Sequence, residues 1–278
     1  MKVLLANNLS VIADAAFHLS NTPESLSVCF AWLGAIAYSL QIFFDFSGYS
    51  SMAIGLGYMF GFEFLENFNY PYISKTVTEF WRRWHMSLGQ WFRDYVYFPL
   101  GGSRVDSKWK LVRNLFVVWF LTGVWHGADW TFIAWGLGYF FLLSFEKLTN
   151  LPKRELGKVA GAGYRMFTLL CVVVGWVIFR ADGIRNGIRY LLAMFGLTGN
   201  SLTDNNALRY GNDYKFLLLI ALICCAPVFE KLRLWLGRRI KAEWAVNVVW
   251  DLGLLGLLLV SISYLVMGGN NPFIYFNF

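Results

Sequence analysis

The chain has 278 residues, of which 57% are hydrophobic and only 15% are charged. A soluble domain usually carries about 25% charged residues, so this composition indicates a polytopic membrane protein. The formal net charge of +7 is also typical of nucleic-acid-binding proteins. Here, however, the basic residues form short clusters between apolar runs, as they do in membrane proteins. We therefore expect the lipid bilayer as a partner and no nucleic acid.

The first 17 residues contain polar positions throughout and lack the continuous apolar core of a signal peptide. We predict a moderately amphipathic helix there. The cysteines lie inside apolar segments without C-x-x-C spacing, which argues against structural zinc and a disulfide framework. We predict buried, unreactive thiols and no metal site. The four are Cys29, Cys171, Cys224 and Cys225.

Two long apolar stretches predict pairs of helices. A transmembrane helix needs about 20 apolar residues, and residues 26–62 contain a single charge, Asp45, over a length that suits two helices. The break between them is predicted within FDFSGYSS. Residues 114–145 carry ionisable side chains only near their middle, at His126 and Asp129. This pattern predicts a second pair of helices, joined around residues 125–130.

Three further spans are predicted by apolar segments at 166–179, 216–229 and 244–267. Residues 180–215 are more polar and include one amphipathic helix, GIRNGIRYLLAMFG, and the chain ends on the aromatic tail NPFIYFNF. We predict an all-α fold in a single integral-membrane domain, residues 1–278. It is a polytopic transmembrane helical bundle with about seven membrane-embedded helices and two or three interfacial amphipathic helices.

The basic clusters between the apolar segments bear on orientation. Lys and Arg concentrate at 75–113, 147–165 and 231–241, which favours the cytoplasmic side for these parts of the chain. The segment 180–215 is also fairly basic, so the same rule does not assign it cleanly to the opposite side.

His126 is the strongest candidate for chemistry. It lies in TGVWHGADW, deep within an apolar stretch, where ionisable groups are costly and usually face a bundle interior or a wet cavity. Trp125 and Trp130 flank it with bulk, whereas Gly123 and Gly127 leave room for a substrate or a backbone to approach. An imidazole there can act as a general base. The alternative is a histidine that only hydrogen-bonds a neighbouring helix.

His85 lies in FWRRWHMSLGQWFRDYVYFPLGG, which is too charged to cross a bilayer and too aromatic for an ordinary loop. A single helix here would gather apolar residues on one face and arginines toward the other. The two sets are Trp81, Trp84, Leu88 and Trp91, and Arg82, Arg83 and Arg93. Alone, the pattern favours an interfacial helix that contacts lipid phosphates. The third histidine, His18, receives no role.

Asp45 lies between aromatic residues in FFDFSGYS, where a lipid-facing acid would be costly. We favour structural bracing of the predicted helix break over pairing with an arginine or binding of a polar ligand. The same interpretation extends to Asp129 and Asp251. The sequence contains no phosphate-binding loop, dinucleotide fingerprint or serine elbow.

Four segments in this order resemble the membrane-bound O-acyltransferases, in particular the bacterial branch of alginate O-acetylation and teichoic acid D-alanylation. They are distributed over residues 41–278: QIFFDFSGYSSMAIGLGYMFGF, NFNYPYISKTVTEFWRRWHMSLGQWFRDYVYFPLGG, TGVWHGADWTFIAWGLGYF and NPFIYFNF. Within that branch, YFPLGGSR and IYFNF are more similar to the alginate acetylase side.

The resemblance implies that His126 matches the family's catalytic histidine, buried in a tunnel through the membrane, and that His85 matches a second motif position. Further residues are assigned to tunnel lining or support: Trp84, Trp125, Trp130, Arg82, Arg83, Asp129 and Asp45. The implied reaction transfers an acyl group to a hydroxyl from a thioester donor, such as acetyl-CoA or an acyl-carrier protein. No bound cofactor is expected, and no metal.

The implied protein is a multi-pass enzyme of the bacterial inner membrane. It acetylates an exported polysaccharide, such as alginate or another cell-surface polymer, with a periplasmic or extracellular acetyltransferase as partner. The alternatives are D-alanyl transfer to a teichoic acid-type polymer, a transporter or structural membrane protein without chemistry, and an inactive remnant. In relatives the matched region follows several N-terminal helices, so the sequence predicts an N-terminally truncated chain that holds the C-terminal part of the family fold.

Overall fold

The computed structural model describes residues 1–19, 26–154, 156–240 and 242–268. Within these ranges the chain is helical and forms no strand, only a single antiparallel bridge between Phe68 and Trp84. The α-helices are α1 (Asn7–Leu19), α2 (Val28–Met59), α3 (Val77–Arg83), α4 (Met86–Phe92), α5 (Lys108–His126), α6 (Trp130–Thr149), α7 (Lys158–Arg180), α8 (Ile184–Met194), α9 (Asn205–Asp213), α10 (Lys215–Cys224), α11 (Val228–Arg239) and α12 (Glu243–Gly268).

The prediction of a helical membrane protein is confirmed. Three of the described helices are long and apolar enough to cross a membrane, namely α2, α7 and α12, and α10 is a shorter apolar helix. The pair α5 and α6, of 19 and 20 residues, meets at residues 126–130 as predicted. The amphipathic helix predicted after residue 180 is α8. The tail NPFIYFNF lies outside the described residues.

The predicted break between residues 26 and 62 is wrong, because α2 is one continuous helix of 32 residues. Its small and polar middle receives the N-terminal segment instead of bending. Lys2, in a π-helical turn (Lys2–Ala6), forms an ion pair with Asp45, and a Cβ at Gly48 would lie 3.3 Å from the Lys2 backbone nitrogen. The N-terminal helix α1 then packs along α2 and is amphipathic, as predicted, with Leu9 and Ile12 fully buried.

The single helix predicted across residues 80–93 is also wrong. Two short helices, α3 and α4, are separated by Trp84 in extended conformation and by His85 with a left-handed backbone, φ 45°. A neighbouring segment supplies the hydrogen bonds that a helix would have made, because the Asn69 N–H donates to Arg83 and the Met86 N–H donates to Asn67. Tertiary pairing thus replaces local helical bonding at the turn.

Three smaller predictions also need correction. The apolar segment predicted as a span at 216–229 forms only α10, of 10 residues, because the chain turns at 225–227 before α11 begins. A second helix, α9, follows α8 within the polar region 180–215. The cysteines were all expected to be buried, but only Cys225 is, and Cys29 is exposed on the first turn of α2.

The crossing of α5 and α6 depends on two glycines. A Cβ at Gly136 would lie 2.5 Å from the Trp119 carbonyl oxygen, and a Cβ at Gly123 would lie 2.7 Å from the Phe132 carbonyl oxygen. Close backbone approach through small residues is a recurrent means of packing membrane helices. The sequence left open whether a substrate or a backbone approaches Gly123. In the structure it is the backbone of α6 that approaches it.

Replacing Gly136 by Val is expected to destabilise the protein by about 1–3 kcal/mol or more, because the obstructing atom is backbone and cannot rotate away. Thermal unfolding of the purified protein in detergent measures the effect. Gly138→Val is the matched control, since a Cβ there meets nothing within 4 Å. Equal melting temperatures for the two variants would contradict the close crossing.

Aromatic rings fill the space between α3, α5, α6 and α7. The Trp81 ring centroid lies 4.9 Å from that of Trp119, 5.4 Å from Trp135 and 4.8 Å from Tyr139. Trp176 of α7 is 1% exposed and lies 4.7 Å from Trp84. Edge-to-face aromatic pairs of this kind add about 0.5–1.5 kcal/mol beyond area burial. The packing therefore holds the short helix α3 firmly against the long helices.

Candidate active site

A cavity of about 250 Å³ lies between α3, α4, α5 and α6, with Trp176 of α7 at its side. It contains both histidines of interest, which are 41 positions apart in sequence. One face of α5 contributes five residues at helical spacing, ending on His126, and α6 contributes three. These are Leu115, Val118, Trp119, Thr122 and His126, and Trp135, Leu143 and Lys147.

The cavity is elongated along the antiparallel pair α5 and α6. From Leu115 to His126 there are 11 helical steps, which correspond to about 17 Å at 1.5 Å per residue. Since Gly136 crosses α5 near Trp119 and Gly123, Lys147 lies toward the end of the cavity away from His126. The cavity therefore has a cationic end, at Lys147, and an opposite end that contains His126.

His126 is held by aromatic rings. Its ring centroid lies 4.9 Å from Trp125, 5.1 Å from Trp135 and 5.0 Å from Phe179. Among the described residues no hydrogen bond to a protein group involves its imidazole, so the alternative of a histidine that only bonds a neighbouring helix is not supported. The helix ends at His126 because Gly127 follows with φ 152°, a conformation that side chains rarely adopt.

His85 is presented by the turn between α3 and α4. Its left-handed backbone, φ 45°, is uncommon for a residue with a side chain, and such residues cluster at functional sites. The ring packs edge-on against Phe46 at 4.7 Å and lies 6.2 Å from Trp125. Its Nδ1 lies 3.0 Å from the Asn67 side-chain oxygen. The turn thus directs the Nδ1 edge of the His85 ring to Asn67, while His85 also lines the cavity.

Glu146 anchors the start of α3 and thereby the turn that carries His85. Its carboxyl is fully buried and accepts hydrogen bonds from the backbone N–H groups of Val77 and Thr78, each at 2.8 Å, and from the Thr78 hydroxyl. The Tyr164 hydroxyl of α7 donates to the same carboxyl at 2.6 Å. An acceptor at a helix N-terminus satisfies N–H groups that have no partner within the helix. One side chain therefore joins α3, α6 and α7.

Positive charge lines the cavity. Three of its lining residues are cationic, Arg82, Arg93 and Lys147, and the residues that line it include no carboxylate. Arg93 is exposed and forms an ion pair with Asp94 at 2.9 Å. The remaining lining is largely aromatic and aliphatic. Such a cavity suits a ligand with an apolar or neutral stem and a negatively charged end.

The structure brings together only part of the residues assigned from the sequence. His126, His85, Trp84 and Arg82 line the cavity, and Trp125 contacts both histidine rings. Four others lie elsewhere, with different tasks. Arg83 forms an ion pair with Glu79 at 2.8 Å, and Asp45 forms one with Lys2. Asp129 caps α6 by accepting a hydrogen bond from the Thr131 N–H. Trp130 is 68% exposed on the first turn of α6.

A structural role was favoured for both Asp45 and Asp129, and their contacts are of that type. Asp45, however, holds the N-terminal segment through Lys2 and does not support a helix break. Three residues at or beside the cavity were not singled out from the sequence, namely Asn67, Glu146 and Lys147. For Glu146 the signal was a single carboxyl one position past the apolar stretch 114–145. For Asn67 the pattern offered no signal, because its role depends on contacts with distant residues.

Comparison with known proteins matches residues 4–151 to the family model described as MBOAT, the membrane-bound O-acyltransferase family. The whole chain is 41% identical to a "probable alginate O-acetylase" of Pseudomonas putida, of which it covers 58%. It is 33% identical to a "peptidoglycan O-acetyltransferase" of Helicobacter pylori, covering 54% of that protein. A segment of 40% of the chain is 43% identical to a "teichoic acid D-alanyltransferase" of Bacillus subtilis, covering 30% of it.

The chain thus spans somewhat more than half the length of the curated relatives that it matches end to end. The family model covers the stretch that supplies α3 to α6, including both cavity histidines and Glu146. On this match, and on a helical fold with membrane-length helices, the chain belongs to the membrane-bound O-acyltransferase family.

Proposed function

We propose that the protein containing this chain is a multi-pass enzyme of the bacterial inner membrane that transfers acetyl groups from a thioester donor toward hydroxyls of an exported polysaccharide. The observation that carries the proposal is the meeting of His85 and His126 in one elongated, cation-lined cavity. Two imidazoles from separate elements suit proton transfer in acyl transfer, where a base near the acceptor hydroxyl promotes attack on the donor.

The reaction needs no redox partner. An imidazole takes the proton of the acceptor hydroxyl as its oxygen attacks the thioester carbonyl carbon. A C–O bond forms, the C–S bond breaks, and the leaving thiolate takes the proton back from the imidazolium. The products are an acetyl ester and a free thiol. His126 is the residue that promotes this transfer, and His85 positions or polarises a reactant.

The shape and charge of the cavity favour a phosphate-bearing thioester as the donor, either acetyl-CoA or the prosthetic arm of an acyl-carrier protein. An acyl-thioester arm can extend along the roughly 17 Å between Leu115 and His126. Its phosphate groups then lie near Arg82 and Lys147, since compact and forked cations are the usual protein partners of phosphate. The donor is a substrate and not a resident cofactor.

The acceptor is proposed to be an exported polymer, on the strength of relatives named for alginate and peptidoglycan O-acetylation. A periplasmic or extracellular acetyltransferase is the proposed partner that completes the transfer. The second candidate is D-alanyl transfer to a teichoic acid-type polymer, which the 43% identity to a D-alanyltransferase over part of the chain favours. Mass spectrometry of the modified polymer separates an added acetyl group from an added alanyl group.

We expect membranes that contain the protein to transfer label from acetyl-CoA or acetyl-carrier protein to polymer. Replacing both Arg82 and Lys147 by Gln should raise the KM for the donor roughly 10-fold, with a smaller change in kcat, because charges that hold a remote phosphate act on binding. Initial rates at varied donor concentration measure the effect.

The control for this double variant is Arg104→Gln, which removes an exposed cation outside the cavity and should leave the KM unchanged. A donor KM that is the same in all variants would contradict the assignment of the cationic end. Polymer that gains neither acetyl nor alanyl groups would contradict the proposed function and favour a transporter or structural protein.

A further inference from the structure

The contacts of Asn67 decide which nitrogen of His85 carries the hydrogen. The Asn67 side-chain oxygen lies 3.3 Å from the Ser87 backbone nitrogen. Because a backbone N–H can only donate, the atom facing it must be the amide oxygen. On the other side, the Asn67 Nδ2 donates to the Ser50 hydroxyl of α2 at 3.1 Å. The orientation of the amide is therefore set by the Ser87 N–H, and the Ser50 hydroxyl, which can accept as well as donate, is compatible with it.

The same amide oxygen faces the Nδ1 of His85 at 3.0 Å. An amide oxygen accepts hydrogen bonds and cannot donate, so the bond between these two atoms requires the hydrogen on Nδ1. The Ser87 hydroxyl also faces this amide oxygen, at 3.0 Å, and lies farther from Nδ1, at 3.5 Å. In a neutral imidazole the other nitrogen, Nε2, then has a free lone pair. Asn67 does not line the cavity, whereas His85 does. The ring edge left for a ligand is thus the Nε2 edge.

We infer that Asn67 is a positioning residue that holds His85 in the Nδ1–H form, so that Nε2 is presented to the cavity as a hydrogen-bond acceptor that orients a donor group of the acceptor substrate, while His126 takes the proton of the reacting hydroxyl. This inference rests on the proposed function, and it places His85 next to the substrate that receives the acetyl group. His126 makes no hydrogen bond to a protein group within the described residues, so it has no comparable constraint on its tautomer.

Two further observations support the assignment. Burial lowers the pKa of the His85 imidazole to about 4, so the ring is neutral near pH 7 and has one bare nitrogen. The backbone on either side of His85 is held by the bonds of residues 67 and 69 to the turn, and the ring packs against Phe46 and lies near Trp125, so both the turn and the ring are restrained. The other ionisable residues that line the cavity are His126, Arg82, Arg93, Tyr97 and Lys147, and none of them carries a negative charge near pH 7 that would favour the protonated form of His85.

The test is nuclear magnetic resonance of the protein in detergent with ¹⁵N-labelled histidine. The chain has three histidines, so single His→Gln replacements assign each ring. We expect His85 to show a protonated Nδ1 and an unprotonated Nε2. Asn67→Leu should abolish this preference, whereas Asn67→Asp, which still offers an oxygen, should keep it. Asn69→Ala, an exposed position two residues along, is the matched control and should change nothing.

Activity gives a second readout. Asn67→Leu should lower kcat about 10- to 100-fold or more, as removal of the group that orients a functional histidine does in other proteins. Asn67→Asp should retain more activity and shift the acid limb of the pH profile upward, because a neighbouring carboxylate stabilises the imidazolium.

The two readouts separate two failures. A wild-type His85 protonated on Nε2, or an unchanged tautomer in Asn67→Leu, overturns the inference whatever the enzyme does. If the tautomer is as stated and Asn67→Leu acetylates polymer at the wild-type rate, the role of His85 toward the acceptor is overturned. A protein with the stated tautomer and no acyl transfer under any condition contradicts the proposed function and leaves the Asn67–His85 contact intact.

Discussion

Replacing His126 by Gln is expected to lower acyl transfer to polymer by at least about 10²- to 10⁴-fold, the range that a positioned acid–base group contributes. Glutamine approximates the size of the imidazole but cannot take up a proton from a hydroxyl. The aromatic contacts with Trp125, Trp135 and Phe179 should be largely kept, so the protein should remain folded. The acetyl content of exported polymer measures the effect in cells that carry the variant as their only copy.

The matched control is His18→Gln, which removes an exposed histidine on α1 far along the chain from the cavity. It should acetylate normally. His85→Gln is expected to be impaired as well, and the double variant should be little worse than His126→Gln, because residues that act as one unit are not additive. Polymer acetylated at the wild-type level by His126→Gln would overturn the catalytic assignment.

Replacing Glu146 by Leu is expected to cost about 2–6 kcal/mol of stability. The backbone N–H groups of Val77 and Thr78 would lose their acceptor inside the protein, and each unsatisfied buried group costs about 1–3 kcal/mol. The loss also frees the start of α3, so the turn with His85 should move and activity should fall. The melting temperature in detergent and the rate of acyl transfer report the two effects.

A matched glutamate control lies on the same short helix. Glu79→Gln weakens the ion pair with Arg83, in which both side chains are about 30% exposed, and should cost less than about 1 kcal/mol. Tyr164→Phe removes one of the donors to Glu146 and should fall between the two variants. If Glu146→Leu melts at the same temperature as Glu79→Gln, the carboxyl does not anchor α3.

Local patterns in the sequence predicted the parts of the site that depend on neighbouring residues. The break at 125–130 followed from polar residues between two apolar runs, and it places His126 at the end of α5. The amphipathic character of α1 and α8 followed from helical periodicity. In contrast, the Gly- and Ser-rich middle of α2 was misinterpreted as a break, because small residues that bend a free helix also admit a packed neighbour such as the Lys2 segment.

The sequence by itself determined that this is a helical membrane protein and, through motifs carried by a family, that His126 and His85 are the residues to examine. Hydrophobicity and periodicity are properties of short stretches, so they can be evaluated without knowing the fold. Only the tertiary structure decided that α3 and α4 are separate, that Glu146 anchors α3, and that Asn67 faces His85. Those contacts join groups 18 to 69 positions apart in the chain, and which polar group meets which is set by packing.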